Sequence, residues 1–184
     1  METPSISVED EGEALSFTWA SLYAYGGPKQ IIASALVFRL LERAFQDLSP
    51  DRPPDRASIG FLSAFPGRGI AECVELVTRI GTRLPERYEV SPEAAPAEAP
   101  LAIDGRLYFE VQIRRERRGY WPSAAFFDDV FRDRVTRYQE GAGMREEQAA
   151  YLAYKRELAS SILAAPSETL FSSRAAAPRA WADS

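Results

Sequence analysis

The chain lacks histidine altogether and contains a single cysteine, Cys73, in 184 residues. Imidazole is the commonest metal ligand and the usual acid–base group near neutral pH, and zinc or iron sites of the nitrogen–sulfur type need several His or Cys ligands. One chain therefore cannot build such a site. An internal disulfide is excluded as well, so packing alone must stabilise the fold, which suits a reducing cytoplasm.

Long apolar runs are also missing. No stretch approaches the roughly 20 apolar residues that span a bilayer, and the start, METPSISVEDEGEALSF, has neither the basic beginning nor the apolar core of a signal peptide. We expect a cytoplasmic protein without a membrane partner. An all-carboxylate magnesium or calcium site stays open, although no D-x-D-x-D-G loop is present.

Basic residues do not exceed acidic ones: 22 Lys and Arg stand against 27 Asp and Glu, for a net charge of −5. This balance argues against a general nucleic-acid binder. A hydrophobic content of 46% and a charged content of 27% are typical of globular proteins. The length suits one domain, and we expect it to span residues 14–171, between a flexible N-terminus at 1–13 and a disordered tail at 172–184.

Helical periodicity predicts most of the regular structure. Residues 14–25 indicate a short helix or an extended packed segment, and a long helix then runs from Pro28 to near Leu48. The apolar residues of that long helix recur about every 3.6 positions: Ile31, Ile32, Ala35, Phe38, Leu41 and Phe45. Further helices are predicted over 70–81, over 121–139 with Ser123 as N-cap, and over 144–163.

Strands are fewer. An apolar run at 58–65 predicts a buried strand, 87–90 is weakly strand-like, and strict alternation over 107–113 indicates a strand with one buried face. The Ala/Pro-rich segment 91–100 is interpreted as a solvated loop, and 114–120 as a basic strand end or turn. The predicted class is α+β: a helix–strand–helix–strands core with a small mixed sheet flanked by helices, plus C-terminal helices.

Two glycine turns, each leading into a helix, form the first candidate site. Free N–H groups at helix N-termini favour anions, cationic side chains add charge, and tyrosine supplies a flat face. The predicted ligand-binding residues here are Tyr23, Tyr25, Gly26, Gly27 and Lys29 on one wall, with Arg68, Gly69 and Glu72 on the other. The alternative is a pair of tight turns with core tyrosines and a surface or capping glutamate.

The basic run RRERRGYW supplies the second candidate. Arg114 and Arg115, with Arg117 and Arg118, could bind an anionic ligand or an acidic partner face, since guanidinium groups bind carboxylates and phosphates bidentately. The alternative is a solvated hairpin end balanced by nearby aspartates. Cys73 lies on the apolar face of its helix and is interpreted as a buried small hydrophobe.

Four local patterns resemble the FmdE-like family of formylmethanofuran dehydrogenase components. YAYGGPK at 23–29 stands at the place of the family's His-x-His-x-Cys-Pro-Gly motif, and the strand at 58–65 is followed by Gly69 at the place of a second Cys. Gly105 and Arg106 precede a strand as the family's Gly-Lys does, which adds Arg106 to the ligand-binding residues. PSETLF at 166–171 resembles the Pro-x-x-x-Leu-Phe that closes the family's core domain.

This resemblance implies a mixed sheet, a homodimer and a metal site formed by His and Cys of the first motif and Cys of the second. At those places the chain has Tyr23, Tyr25, Gly27 and Gly69. All the implied ligands are replaced together, so we expect neither a metal nor another cofactor.

The functional hypothesis is accordingly a metal-free, catalytically degenerate binding or accessory subunit. By family association it belongs to one-carbon metabolism, including methylotrophy, with methanofuran- or tetrahydromethanopterin-type carriers. The expected partners are a second copy of the chain, an anionic small molecule or C1-carrier, and a larger enzyme complex. Two alternatives remain: a metal-independent enzyme using Tyr23 or Tyr25 as acid–base on an anionic or pterin-like substrate, and a protein with a purely structural docking role.

Overall fold

A computed structural model describes residues 4–180. Two sheets and several helices form the α+β architecture that the sequence predicts. The strands are β1 (Ser5–Asp10), β2 (Glu13–Thr18), β3 (Ile59–Ser63), β4 (Tyr88–Val90), β5 (Phe109–Ile113), β6 (Glu116–Pro122) and β7 (Phe171–Ala175). The α-helices are α1 (Trp19–Gly26), α2 (Ile31–Leu48), α3 (Arg68–Thr78), α4 (Ile80–Arg83), α5 (Asp129–Tyr138), α6 (Arg145–Ala164) and α7 (Ser167–Leu170). No helix within these residues is both long and apolar enough to cross a bilayer.

The main sheet is mixed, in the order β4-β3-β5-β6-β7. Strand β3 pairs in parallel with β4 and antiparallel with β5, and the remaining neighbours are antiparallel. One face carries Phe61, Phe109, Val111 and Tyr120, and it packs on the helices in the main hydrophobic core. The helix α2 lies at the centre of that core, in contact with α1, α3 and α6.

Residues 5–13, expected to be flexible, instead belong to a hairpin. Strands β1 and β2 pair from Ser5↔Thr18 to Asp10↔Glu13, and Glu11 and Gly12 both have positive φ at the turn (53° and 85°). Positive φ at both central positions matches the turn that suits the twist of a two-residue hairpin. Ile6 and Val8 are buried in the core, so apolar side chains hold this acidic segment in place. Residues 1–3 of the predicted flexible N-terminus lie outside the described residues.

Two other predictions at the C-terminal half need correction. The helix expected over 121–139 begins only at Asp129, and Asp128 is its N-cap, accepting a hydrogen bond from the Phe131 N–H at 2.9 Å. Trp121 and Pro122 belong to β6, whose residues 116–120 were predicted as part of a basic end or turn. The tail expected to be disordered starts with strand β7, which pairs with β6; residues 181–184 of that tail lie outside the described residues.

The second face of the main sheet is covered as well. The loop at 91–100, expected to be solvated, places Ala94, Ala95 and Ala99 against the buried Tyr108 ring. The chain after β7 crosses the same face, where the Gln112 carboxamide accepts from the Arg179 N–H at 2.8 Å and donates to the Arg179 carbonyl at 3.3 Å. All five residues of β5 are therefore buried, although its sequence alternates.

Candidate functional site

The Gly-Gly-Pro turn closes helix α1 and begins the approach to α2. The Gly27 N–H donates to the Tyr23 carbonyl at 2.8 Å, and Gly27 has a φ of 72°. Glycine adopts this positive φ without the steric cost that other residues meet. Pro28 then begins a short 3-10 turn, Pro28–Gln30, that leads directly into α2. The turn thus places Lys29 and Gln30 immediately ahead of the central helix.

Gln30 closes the gap between the two glycine turns. Gly69, at the start of α3, is buried, and a Cβ there would overlap the Gln30 carboxamide oxygen and lie 2.9 Å from the Ala33 Cβ. The two glycine turns therefore lie against each other through Gln30 and Gly69. The space between them is occupied by the side chain of Gln30 rather than by Tyr23 or Tyr25.

The two tyrosines of the turn point to different surroundings. The Tyr23 ring packs on Trp19, with 5.5 Å between ring centroids, and lies against the core. Tyr25 is 53% exposed. Residues two apart on a helix do not face the same way, which explains why this pair cannot form one wall.

Tyr25 borders a cavity of about 240 Å³ between α1, α3, α4 and β4. The polar and aromatic groups that line it are Tyr25, Glu72, Glu75, Thr82 and Tyr88. Arg68 is absent from its lining because its side chain is 86% exposed, where it forms a 2.7 Å ion pair with Glu72. Glu75 is likewise paired, with Arg79 at 3.3 Å. Because no cationic side chain among residues 4–180 lines the cavity, its lining does not favour the anion predicted for this wall.

Lys29 borders a different cavity, of about 330 Å³, between the Gly-Gly-Pro turn and helix α6. Its lining is Pro28, Lys29, Gln148, Ala149, Tyr151, Leu152 and Lys155. The Nζ of Lys155 lies 4.9 Å from the centroid of the Tyr151 ring, a cation–π contact. No carboxylate lines this cavity, and within residues 4–180 neither lysine takes part in an ion pair.

Lys155 has a lower pKa than an exposed lysine. Burial lowers the pKa of Lys155 from its ordinary value, and the nearby charge of Lys29 lowers the pKa further. Both causes act on the charged form: desolvation removes its hydration, and a second ammonium repels it. The cavity therefore concentrates positive charge, and it also makes the neutral amine of Lys155 easier to form than that of a free lysine.

The remaining predicted binding residues lie elsewhere. Arg106 donates to the Ala99 carbonyl at 2.5 Å and so holds the covering loop. Arg114 and Arg115 occupy the exposed turn between β5 and β6, where Arg114 has a φ of 56°. None of the three lines a cavity with Lys29 or Tyr25, so the structure divides the predicted site among several places.

Sequence reasoning did not find a buried polar network on the second face of the sheet. The Tyr108 hydroxyl donates to Glu110 Oε1 at 2.7 Å, and Glu110 forms an ion pair with Arg117, whose side chain is 4% exposed. Arg179 forms a 2.7 Å ion pair with Glu89 across the same face. A groove of about 620 Å³ runs beside Glu110 and Arg117 under residues 176–180. The signal was the Tyr108-x-Glu110-x-Gln112 alternation, which is equally typical of a solvated face.

Several buried or half-buried thiol and phenol groups have raised pKa values. Burial raises the pKa of the Cys73 thiol to about 12, and burial also raises the pKa of Tyr88 and of Tyr108 to about 12. The pKa of Tyr120 is raised by burial and by the neighbouring Asp47 carboxylate. Among residues 4–180, no group of three or more Cys, Asp and Glu side chains could hold a metal ion.

Comparison with known proteins does not assign the chain to a family. The chain matches no protein-family model and no curated protein. The resemblance to the FmdE-like family accordingly stays a prediction that rests on the four local patterns.

Proposed function

We propose that the chain is a metal-independent ligand-binding or accessory protein of the FmdE-like type, linked to one-carbon metabolism. The contact between Gln30 and Gly69 carries this proposal. By the resemblance, Gly69 stands at the place of a metal-binding Cys, and a Cβ there would overlap the Gln30 carboxamide. A carboxamide is a poor substitute for His or Cys at a zinc or iron centre.

The ligand of this protein is anionic, and it binds beside Lys29. That side chain borders the cavity with Lys155, where two ammonium groups meet and no carboxylate lines the wall. Arg68, by contrast, is exposed and paired with Glu72. The cavity volume of about 330 Å³ lies at the lower end of the range for ligand pockets, so it would hold the anionic part of a carrier rather than the whole molecule.

Metal analysis and carrier binding test the proposal together. We expect the purified protein to contain neither zinc nor iron in stoichiometric amounts, and calorimetry to detect a tetrahydromethanopterin- or methanofuran-type carrier. Lys29→Ala should weaken carrier binding, whereas Arg68→Ala should leave it unchanged. Stoichiometric zinc or iron contradicts metal independence, and failure of both carriers to bind contradicts the link to one-carbon metabolism.

The chain also forms a homodimer in this proposal, as the family does. Light scattering coupled to size exclusion measures the mass directly. A mass of 20.5 kDa, that of one chain, at micromolar concentration would contradict it.

A further inference from the structure

The lysines of this chain have an unusual distribution. Only two of its 22 basic residues are lysines, Lys29 and Lys155. They lie far apart in the sequence, on the turn before α2 and on α6, yet both border the same cavity. Everywhere else the chain uses arginine, whose guanidinium stays protonated and supplies only a fixed charge.

A lysine differs from an arginine in that its amine can lose a proton and become a nucleophile. Lysines become reactive when they are desolvated or placed beside another cation. Lys155 meets both conditions, since its side chain is partly buried over the Tyr151 ring and Lys29 is the charged group that faces it from the neighbouring element. Tyr151, the other titratable group of the lining, stays neutral because burial raises its pKa.

We infer that Lys155 is a reactive amine that captures a small carbonyl compound bearing a negative charge, such as a 2-oxo acid, as an imine, while Lys29 holds the anionic group. The unprotonated Nζ of Lys155 attacks the carbonyl carbon and forms a C–N bond. The carbonyl oxygen leaves as water together with both amine hydrogens, so that a C=N bond remains. The step is a reversible condensation, and it consumes no oxidant or reductant.

The division of roles follows from burial. Lys29 is exposed, so it keeps its hydration and its positive charge, whereas Lys155 is the more desolvated amine. A carboxylate next to the carbonyl would pair with the Lys29 ammonium and bring the carbonyl carbon to Lys155. This activity goes beyond the proposed function: it uses the same cavity but requires neither a C1-carrier nor the family resemblance.

Reductive trapping tests the inference on the full-length protein. Incubation with pyruvate followed by borohydride converts an imine into a stable secondary amine, and peptide mapping locates it. We expect several-fold more label on Lys155 than on Lys29. The yield should rise with pH to a midpoint below that of the urea-unfolded chain, because the pKa of Lys155 is lowered only in the fold.

Variants separate reactivity from folding. Lys155→Arg keeps the charge and should abolish labelling at position 155, which leaves only the weaker labelling of Lys29. Lys29→Gln should move the pH midpoint upward and reduce labelling by pyruvate more than labelling by neutral acetaldehyde, whereas Lys29→Arg should leave the midpoint close to that of the parent. Circular dichroism shows that each variant is folded. Equal labelling of the two lysines, or a midpoint that the unfolded chain shares, would overturn the inference whether or not a carrier binds.

Discussion

The carboxamide of Gln30 rests directly on Gly69, the first buried position of α3, and joins the two glycine turns of the fold. Any side chain at Gly69 would displace Gln30 and press on Ala33. Helix α3 therefore approaches the start of α2 as closely as it does because position 69 has no Cβ. Two separate cavities border this region: Tyr25 lines one with Glu72 and Glu75, and Lys29 lines the other with Lys155.

A double-mutant cycle measures this contact. Gly69→Ala should destabilise the fold by about 1–3 kcal/mol, the usual cost of overpacking a tight site. Gln30→Ala removes the carboxamide that the new Cβ at position 69 would overlap. The loss of stability in the double variant should therefore be smaller than the sum of the losses in the two single variants. Urea unfolding followed by circular dichroism gives the three values. Strict additivity would show that Gln30 does not occupy this space.

The buried and exposed ion pairs should differ sharply in their contribution to stability. Glu110→Ala leaves the buried Arg117 without this carboxylate and removes the acceptor of the Tyr108 hydroxyl, so we expect a loss of about 3 kcal/mol. Arg68→Ala breaks a pair whose arginine is 86% exposed and should change stability by no more than about 0.5 kcal/mol. The free energy of unfolding in urea measures both. Similar losses for the two variants would contradict the burial of the network.

Asp10 should make stability depend on pH in the acid range. Its carboxylate accepts hydrogen bonds from Arg56 at 2.7 Å and from Arg83 at 2.8 Å, and these contacts lower the pKa of Asp10. The unfolded chain then binds this proton more readily than the folded one. Asp10 therefore contributes its full stabilisation of the fold above its unfolded pKa of about 3.9. This stabilisation is lost as the pH falls through the lower pKa of Asp10 in the folded chain.

Asp10→Asn is the matched variant for this test. It should be less stable than the parent chain near neutral pH, and the gap should narrow as the pH falls below about 4 on the way to about 2. Urea midpoints measured at intervals of pH give the two curves. A gap that stays constant throughout would show that the ion pairs of Asp10 do not distinguish the folded from the unfolded state.

Cys73 should be inert in the folded protein. Its side chain is fully buried, and burial raises the pKa of the thiol to about 12, whereas an exposed thiol has a pKa of about 8.5. Because the thiolate is the reactive form, a disulfide reagent near neutral pH should modify the native chain more than about 1,000-fold slower than the urea-unfolded chain. Rapid reaction without denaturant would contradict the packing of α3 against the core.

The sequence correctly predicted those helices and strands whose burial follows from their own pattern of apolar residues. Helix α2 follows the 3.6-residue period of Ile31, Phe38 and Leu41, and α6 begins and ends within one residue of its prediction. The run at 59–63 is buried on both faces, as the mainly apolar sequence at 58–65 predicts. In each case the spacing of the apolar residues within one element shows which of its faces is buried, so no distant residue is needed for the prediction.

Elements that depend on a distant neighbour were predicted less well. Arg117 lies in β6, which pairs with β5, and it forms an ion pair with Glu110 of that strand; the run RRERR at 114–118 does not reveal this partner. Segment 91–100 has small side chains that pack only because the Tyr108 ring lies beneath them. The helix predicted from residue 121 failed for a similar reason: Trp121 and Pro122 pair with β7, which follows about 50 residues later.

The amino-acid sequence alone determined the chemistry available to this protein: no imidazole, one thiol that cannot pair within the chain, and an α+β division set by apolar periodicity. Tertiary structure decided how that chemistry is arranged. It separated Tyr25 and Arg68 from Lys29, placed Gln30 in the gap between the glycine turns, and brought Lys29 to Lys155. The reason is physical: the packing of α6 on α2 depends on a shared apolar core, and the charged residues at its edge meet as a consequence of that packing.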